Sequence, residues 1–466
     1  MKKTANVIAT AICILGGSLG FAETTTAVKP NILVIMTDQQ HAGMMSCAGN
    51  PYIKTPMMDS LAATGARFEL AYCANPVCVP SRVSMLTGVM PSRIGMEANE
   101  DMKRSKVSAD ILANTMGQLF SKAGYETVYG GKQHVPISIE EAGFRNIEKS
   151  SGPKLAETCA HFLRQKRDKP FLMVASFINP HDICFMALSD AKNPGHIRGP
   201  QPLLDALTLP AGMSRADFFA KACPPLPANF AIPPGEPEAI LAADMRNFRT
   251  YARKEWTAEQ WRLHRWAYAR LTERVDAEIG VVLSALRETG LDANTLVVFV
   301  SDHGDMDASH RLEHKSVLYD EAARVPLIVS WKGVTKPGVV DREHLISTGQ
   351  DLIPTLCDFA DIPMPSSLKG RSLRTLAEGR TPSTWRDAQV VENGNSRMVR
   401  SARYKYIVYA SGTHREFLVD MQKDPGEMKN LAQEPALSSV LKEHRELLKA
   451  WYQQNKETLD QRYIVE

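Results

Sequence analysis

The sequence predicts an α/β protein: a large mixed, mostly parallel sheet sandwiched by helices, plus a small C-terminal α+β subdomain with a short antiparallel sheet. Three observations lead there. Short, continuously apolar runs recur between Pro30 and Val329, as strands buried on both faces require. Helical patterns separate those runs. Beyond about Ala388 the alternation gives way to closely spaced strand-like segments and a closing amphipathic helix.

The first run, Pro-Asn-Ile-Leu-Val-Ile-Met-Thr from Pro30 to Thr37, is bounded by turn formers and acids. Similar runs occupy Glu126 to Tyr129, Phe171 to Phe177, Thr295 to Val300 and Val325 to Val329. Helices are predicted over Lys106 to Ala123, Pro153 to Gln165 and Ala258 to Glu288. A further helix is expected after Cys78, because Pro80 suits a first turn and Gly88 suits an end. From Met186 to Arg249, prolines, glycines and short polar runs suggest a long excursion that shapes a binding site. In the tail, strands are expected at Met398 to Ser401, Tyr404 to Tyr409 and Glu416 to Asp420. A turn follows at Asp424-Pro425-Gly426, then a helix from Leu437 to Tyr452. The expected units are therefore a catalytic domain over residues 27–387, with its excursion at 186–249, and a subdomain over 388–466.

The N-terminus carries Lys2 and Lys3, an apolar run from Val7 to Leu19, and small residues around Gly20-Phe21-Ala22. That is the pattern of a secretory signal peptide over residues 1–22. Ile12 before Cys13 argues against a lipid anchor. No later stretch is apolar for long enough to span a bilayer. A periplasmic or secreted product with no membrane attachment after cleavage is expected. A net charge of +3 over 466 residues gives no footing for nucleic-acid binding. Apart from Cys13 and Cys78, six cysteines remain, and an oxidising compartment permits them disulfides or free buried thiols alike. Their spacing gives no connectivity and no Cys-x-x-Cys pair.

The residues with chemistry fall at strand ends, where open α/β sheets place their sites. Asp38-Gln39-Gln40 follows the first strand, and Ser301-Asp302-His303-Gly304-Asp305 a later one. Gln39 offers a carbonyl oxygen and His303 a nitrogen, so either side chain can coordinate a metal. Calcium prefers oxygen donors alone, while His303 admits manganese or another transition metal. Gly130-Gly131-Lys132-Gln133-His134 ends a third strand, with Lys132 and His134 alternating onto one side. Asn179-Pro180-His181-Asp182 ends a fourth. Cys78-Val79-Pro80-Ser81-Arg82, continuing to Leu86-Thr87-Gly88, puts residue 78 at a helix N-terminus, where an anion is favoured.

Taken together, these segments resemble the formylglycine-dependent sulfatase family of the alkaline phosphatase superfamily. The resemblance runs from Asn31 to about Leu431 and includes Lys315 in Leu312-Glu313-His314-Lys315-Ser316, as well as Tyr404-Lys405-Tyr406 and Asp424-Pro425-Gly426-Glu427 in the tail. It implies that Cys78 is oxidised to formylglycine by a formylglycine-generating or anaerobic sulfatase-maturating enzyme. One hydroxyl of the hydrated aldehyde would attack sulfur. The second, deprotonated by His134, would expel sulfate. The implied metal ligands are Asp38, Gln39, residue 78, Asp302 and His303. Gln39 and His303 depart from the family's common Asp-Asp and Asp-Asn pairs and look like those of phosphonate monoester hydrolases. The alternative is therefore a phosphonate monoester or phosphodiester hydrolase using the same aldehyde. Arg82, Lys132 and Lys315 would surround the sulfate, with His181 near its bridging oxygen. Asp302 or Asp305 would take the attacking proton, and His181 or Lys315 would protonate the leaving alcohol. A sulfated carbohydrate is the implied substrate, with Asp182, His310 and Arg311 as expected contacts.

Overall fold

Asn31–Asp38 forms β1, and every residue in it is buried. In this computed structural model the described residues are 29–104, 106–240, 247–455 and 457–465. The predicted signal peptide, including Cys13, lies outside them. After β1 come β2 (Ala66–Phe68), β3 (Ala71–Tyr72), β4 (Glu126–Gly131), β5 (Arg145–Glu148) and β6 (Phe171–Pro180). They are followed by β7 (Thr295–Ser301), β8 (Leu327–Ser330), β9 (Val339–Asp341) and β10 (Ile346–Ser347). Eight of these make one sheet in the order β5-β4-β6-β1-β7-β8-β2-β9. From β5 to β7 all neighbours are parallel. Only β8 runs against its neighbours, so the sheet is mixed and mostly parallel.

Alternation along β1 explains the sandwich. Ile32, Val34 and Met36 enter one core, shared with the Cys78–Thr87 and Thr348–Phe359 helices. Leu33 and Ile35 point the other way, toward Pro56–Thr64, Pro153–Arg164 and the long Ala258–Glu288 helix. Both sides are apolar because both are covered. The predicted helix over Lys106 to Ala123 instead forms two pieces, Ala109–Leu112 and Met116–Lys122. Thr115 interrupts it, with its hydroxyl donating to Leu112 O and Ala142 O.

The excursion is more structured than its composition suggests. It contains helical turns at Gln201–Leu207 and Phe218–Ala222. Phe218, Phe219 and Cys223 pack on Trp266 of the long helix. Further on, the Glu238 carboxylate accepts from Thr413 N and Oγ1, tying the excursion to the tail.

The tail is a four-stranded antiparallel sheet of β11 (Ala388–Asn393), β12 (Ser396–Ser401), β13 (Tyr404–Tyr409) and β14 (Glu416–Asp420). Ser438–Gln454 covers one face, and the other face joins residues such as Leu318 and Tyr319 of the catalytic unit. Lys405 is fully buried at that seam, its ammonium held by Asp320 and Glu427. Among the described residues seven cysteines are free, so the disulfides that the compartment would permit are not formed there. No described helix is long and apolar enough to cross a membrane.

Candidate active site

Four adjacent parallel strands, β4, β6, β1 and β7, end on the same edge of the sheet. Their ends deliver Lys132, His181, Asp38 and Asp302, each from a motif separated in sequence from the others. Asp302 N donates to Thr37 O, which fixes the β1 and β7 ends against each other. Gln39 takes φ +68°, turning the chain sharply after Asp38.

The Cys78–Thr87 helix approaches this edge with its N-terminus. Val77 before it is extended and makes no side-chain cap. Gly88 ends the helix at φ +73°. Ser81 Oγ donates to Asp302 O at 2.5 Å, and Val79 N donates to Asn99 Oδ1 at 3.0 Å.

Arg82, one turn on, is 1% exposed and sits behind the carboxylates. Its Nε donates to Asp302 Oδ2 and its Nη2 to Asp38 Oδ2, both at 2.7 Å. Its Nη1 donates to Ser176 Oγ at 2.7 Å and Lys132 O at 3.0 Å. The guanidinium therefore faces protein on every edge, and it neutralises two buried acids where a sulfate contact had been expected.

Around Cys78 Sγ lie Lys315 Nζ at 3.0 Å, His303 Nε2 at 3.2 Å, Lys132 Nζ at 3.8 Å and Asp38 Oδ1 at 4.0 Å. Burial and Asp38 push the thiol up, but Lys315, Lys132 and His303 prevail and hold it well below its ordinary value. Burial likewise pushes the Asp38 carboxyl up, and Lys132, His181, Arg82 and Lys315 overcome it. Asp302 ends above its ordinary value, since burial and the charge of Asp38 outweigh Arg82. Burial and Lys132 pull His181 down to about 4.

One donor from each of Asp38, Cys78, Asp302 and His303 falls within 4.8 Å of the others, and all four residues are buried. His303 Nδ1 pairs with Gly304 O at 2.9 Å, which leaves Nε2 facing the cluster. Two carboxylates, one with a raised pKa, and an oriented imidazole make a donor set suited to a divalent cation. Gln39 is engaged differently. Its Oε1 accepts from Lys315 Nζ at 2.9 Å and its Nε2 donates to Asp305 Oδ2 at 2.7 Å. Asp305 also accepts from His314 N and Asp307 N, so its oxygens are committed to backbone and amide.

Other predicted residues stand apart. His134 is half-buried at φ +43°, its Nδ1 without a hydrogen-bond partner. His310 is fully buried, stacked at 4.0 Å on Tyr319, and burial pulls it down to about 4. Arg311 lies over Phe230 at 5.1 Å. Asp182 is buried beside His181, and desolvation raises its carboxyl. None of these lines the cleft of about 420 Å3 that opens between Val77 and Ser316, the neighbours of Cys78 and Lys315. Arg249 of the excursion and Asn395 and Tyr409 of the tail complete its walls. Sequence reasoning missed Ser176, which braces Arg82. Its signal was a polar residue inside the apolar run of β6. Asn99 carried no comparable signal.

The Sulfatase family model matches residues 30–362, and a model for the N-sulphoglucosamine sulphohydrolase C-terminal region matches residues 308–454. The chain is similar to the Delta 4,5-hexuronate-2-O-sulfatase of Bacteroides thetaiotaomicron, at 31% identity over 95% of this chain and 93% of that one. The structure of a 2-O GAG sulfatase superposes with a TM-score of 0.78 at 31% identity, over 92% of this chain and 93% of the other. The phosphonate monoester hydrolase of Agrobacterium radiobacter shares the fold, with a TM-score of 0.73 at 20% identity over 92% and 96% of the two chains.

Proposed function

Because the chain belongs to the sulfatase family and is a sulfuric ester hydrolase, we propose that it removes sulfate from a sulfated glycan, using formylglycine made from Cys78 and one divalent metal. The observation that carries this reading is the crowding of two ammonium groups, one imidazole and one carboxylate within 4.0 Å of Cys78 Sγ. An inert core thiol has no use for such neighbours. The similarity to a hexuronate 2-O-sulfatase supports a carbohydrate substrate.

Asp38, Asp302, His303 and residue 78 would hold the metal, with Gln39 as a further oxygen donor if Lys315 releases it. Bound there, a divalent cation supplies charge that acidifies the residue 78 hydroxyl and polarises a sulfuryl oxygen. Calcium fits the oxygen donors, and manganese or another transition metal fits His303.

The remaining work belongs to the chain. Arg82 holds the two carboxylates in one orientation and acts as a positioning residue. Lys132 and Lys315 offer ammonium groups to the sulfate oxygens. Lys315 is the better-placed proton donor to the leaving alcohol, since burial and Lys132 hold His181 neutral. Asp302, whose carboxyl is raised by burial and by the charge of Asp38, is the proposed acceptor of the attacking proton. His134, with a free Nδ1, is available to take a proton from the second hydroxyl. The cleft beside Val77 and Ser316 would take the sugar. A maturating enzyme is required for Cys78, and export to the periplasm or medium follows from the leader.

Sulfate release from a panel of sulfated oligosaccharides, run against matched aryl sulfate and aryl phosphodiester substrates, tests the reading. Release from a sulfated uronate or hexosamine, with the phosphodiester far slower, is expected. A preference for the phosphodiester would favour the phosphonate and phosphodiester alternative.

A further inference from the structure

A second cleft, of about 340 Å3, lies where the catalytic unit meets the tail, and it shares no lining residue with the one beside Cys78. Its walls include Lys369, Arg371, Trp385 and Arg386 on one side and Trp451 and Gln454 of the last helix on the other. Gln350, also at its edge, follows Gly349, which packs against Ser84. Ser84 is six residues past Cys78, about 9 Å along the helix axis.

The groups here are arranged. Trp385 is pinned by its Nε1, which donates to Leu345 O at 2.9 Å, and by an edge contact with His344 at 5.4 Å. Arg386 is neutralised by a two-point pairing with Asp351 at 2.5 and 2.6 Å. Arg371 is not paired. Its guanidinium lies over Trp385 at 5.7 Å and makes no hydrogen bond or ion pair to any described residue. Among the described residues, Lys369 Nζ donates to Ser366 O alone, at 3.2 Å. One exposed acid, Asp387, also reaches the cleft, leaving an excess of positive charge.

We propose that this cleft is a noncatalytic binding site for a sulfated oligosaccharide, which it holds through sulfate on Lys369 and Arg371. Unpaired guanidinium and ammonium groups suit sulfate oxygens. Amide groups such as that of Gln454 can serve sugar hydroxyls. The volume is that of a small-ligand pocket. The site does not depend on the chemistry at residue 78. Its effect would be to keep a long glycan on the enzyme between cleavages.

Dextran sulfate binding is measured by calorimetry in the Cys78→Ala background, with unsulfated dextran and single-stranded DNA as controls. Two variants are compared: Lys369→Glu/Arg371→Glu, which removes the charge, and Ala450→Tyr, which fills the cleft and keeps the charge. Both should weaken dextran sulfate about tenfold. Both should leave hydrolysis of a small aryl sulfate by the Cys78-containing chain unchanged. Unaltered affinity in either variant overturns the proposal. So does equal affinity for the unsulfated dextran or the DNA, or a parallel loss of aryl sulfate turnover.

Discussion

Arg82 and Asp302 meet at 2.7 Å, both buried, and the same guanidinium also holds Asp38 at 2.7 Å. One cation thereby fixes the two carboxylates that would bind the metal. Arg82→Lys keeps a charge but cannot bridge both acids. We expect metal content per chain, read by elemental analysis, to fall with a roughly 10- to 100-fold loss of metal affinity. Melting should show a cost on the order of 3 kcal/mol from the imperfectly paired acids. Unchanged metal affinity would remove Arg82 from this role.

Lys315 reaches both Cys78 Sγ and Gln39 Oε1. Lys315→Ala should lower kcat by about 10²- to 10⁴-fold for esters with poor leaving groups. The loss should shrink for a nitrophenyl sulfate, whose leaving group needs no proton. An equal loss for both substrates would assign Lys315 to sulfate binding instead.

Chelation should abolish turnover and lower the melting temperature, because Asp38 and Asp302 would then share a buried space with less positive charge. Returning calcium or manganese, each in excess, should restore both readouts and identify the preferred ion. Full activity after exhaustive chelation would contradict the metal assignment.

Away from the site, Glu278 is buried with neither carboxylate oxygen hydrogen-bonded. Desolvation pushes it up to about 7, Arg274 at 3.7 Å offsets this only in part, and Asp182 adds to it. A folded pKa above the unfolded value means that stability is full in acid and is lost as pH rises through about 7. Glu278→Gln should therefore stabilise the chain by roughly 2 kcal/mol near pH 8.5 and by little near pH 5. A gain of equal size at both pH values would show that charge at Glu278 is not the cause.

The sheet was legible because its central strands are buried on both faces. β1, β6 and β7 begin within one residue of their apolar runs, and the Ala258–Glu288 helix matches its pattern at both ends. The two- and three-residue strands β2, β3, β9 and β10 are too short for any periodicity to show. The motifs that resemble the sulfatase family name Asp38, Asp302, His303, Lys132 and Lys315, and the fold brings these side chains together around Cys78. Orientation was not legible. Whether Arg82 faces a ligand or a carboxylate, whether Asp305 is free, and whether His310 is exposed all depend on packing between segments distant in the chain.

The most direct measurement is mass spectrometry of the tryptic peptide Phe68–Arg82 from active native protein. It contains Cys73, fully buried, as an internal control beside Cys78. The account predicts an aldehyde at residue 78 and an ordinary thiol at residue 73. An unmodified thiol at residue 78 in fully active protein would contradict it.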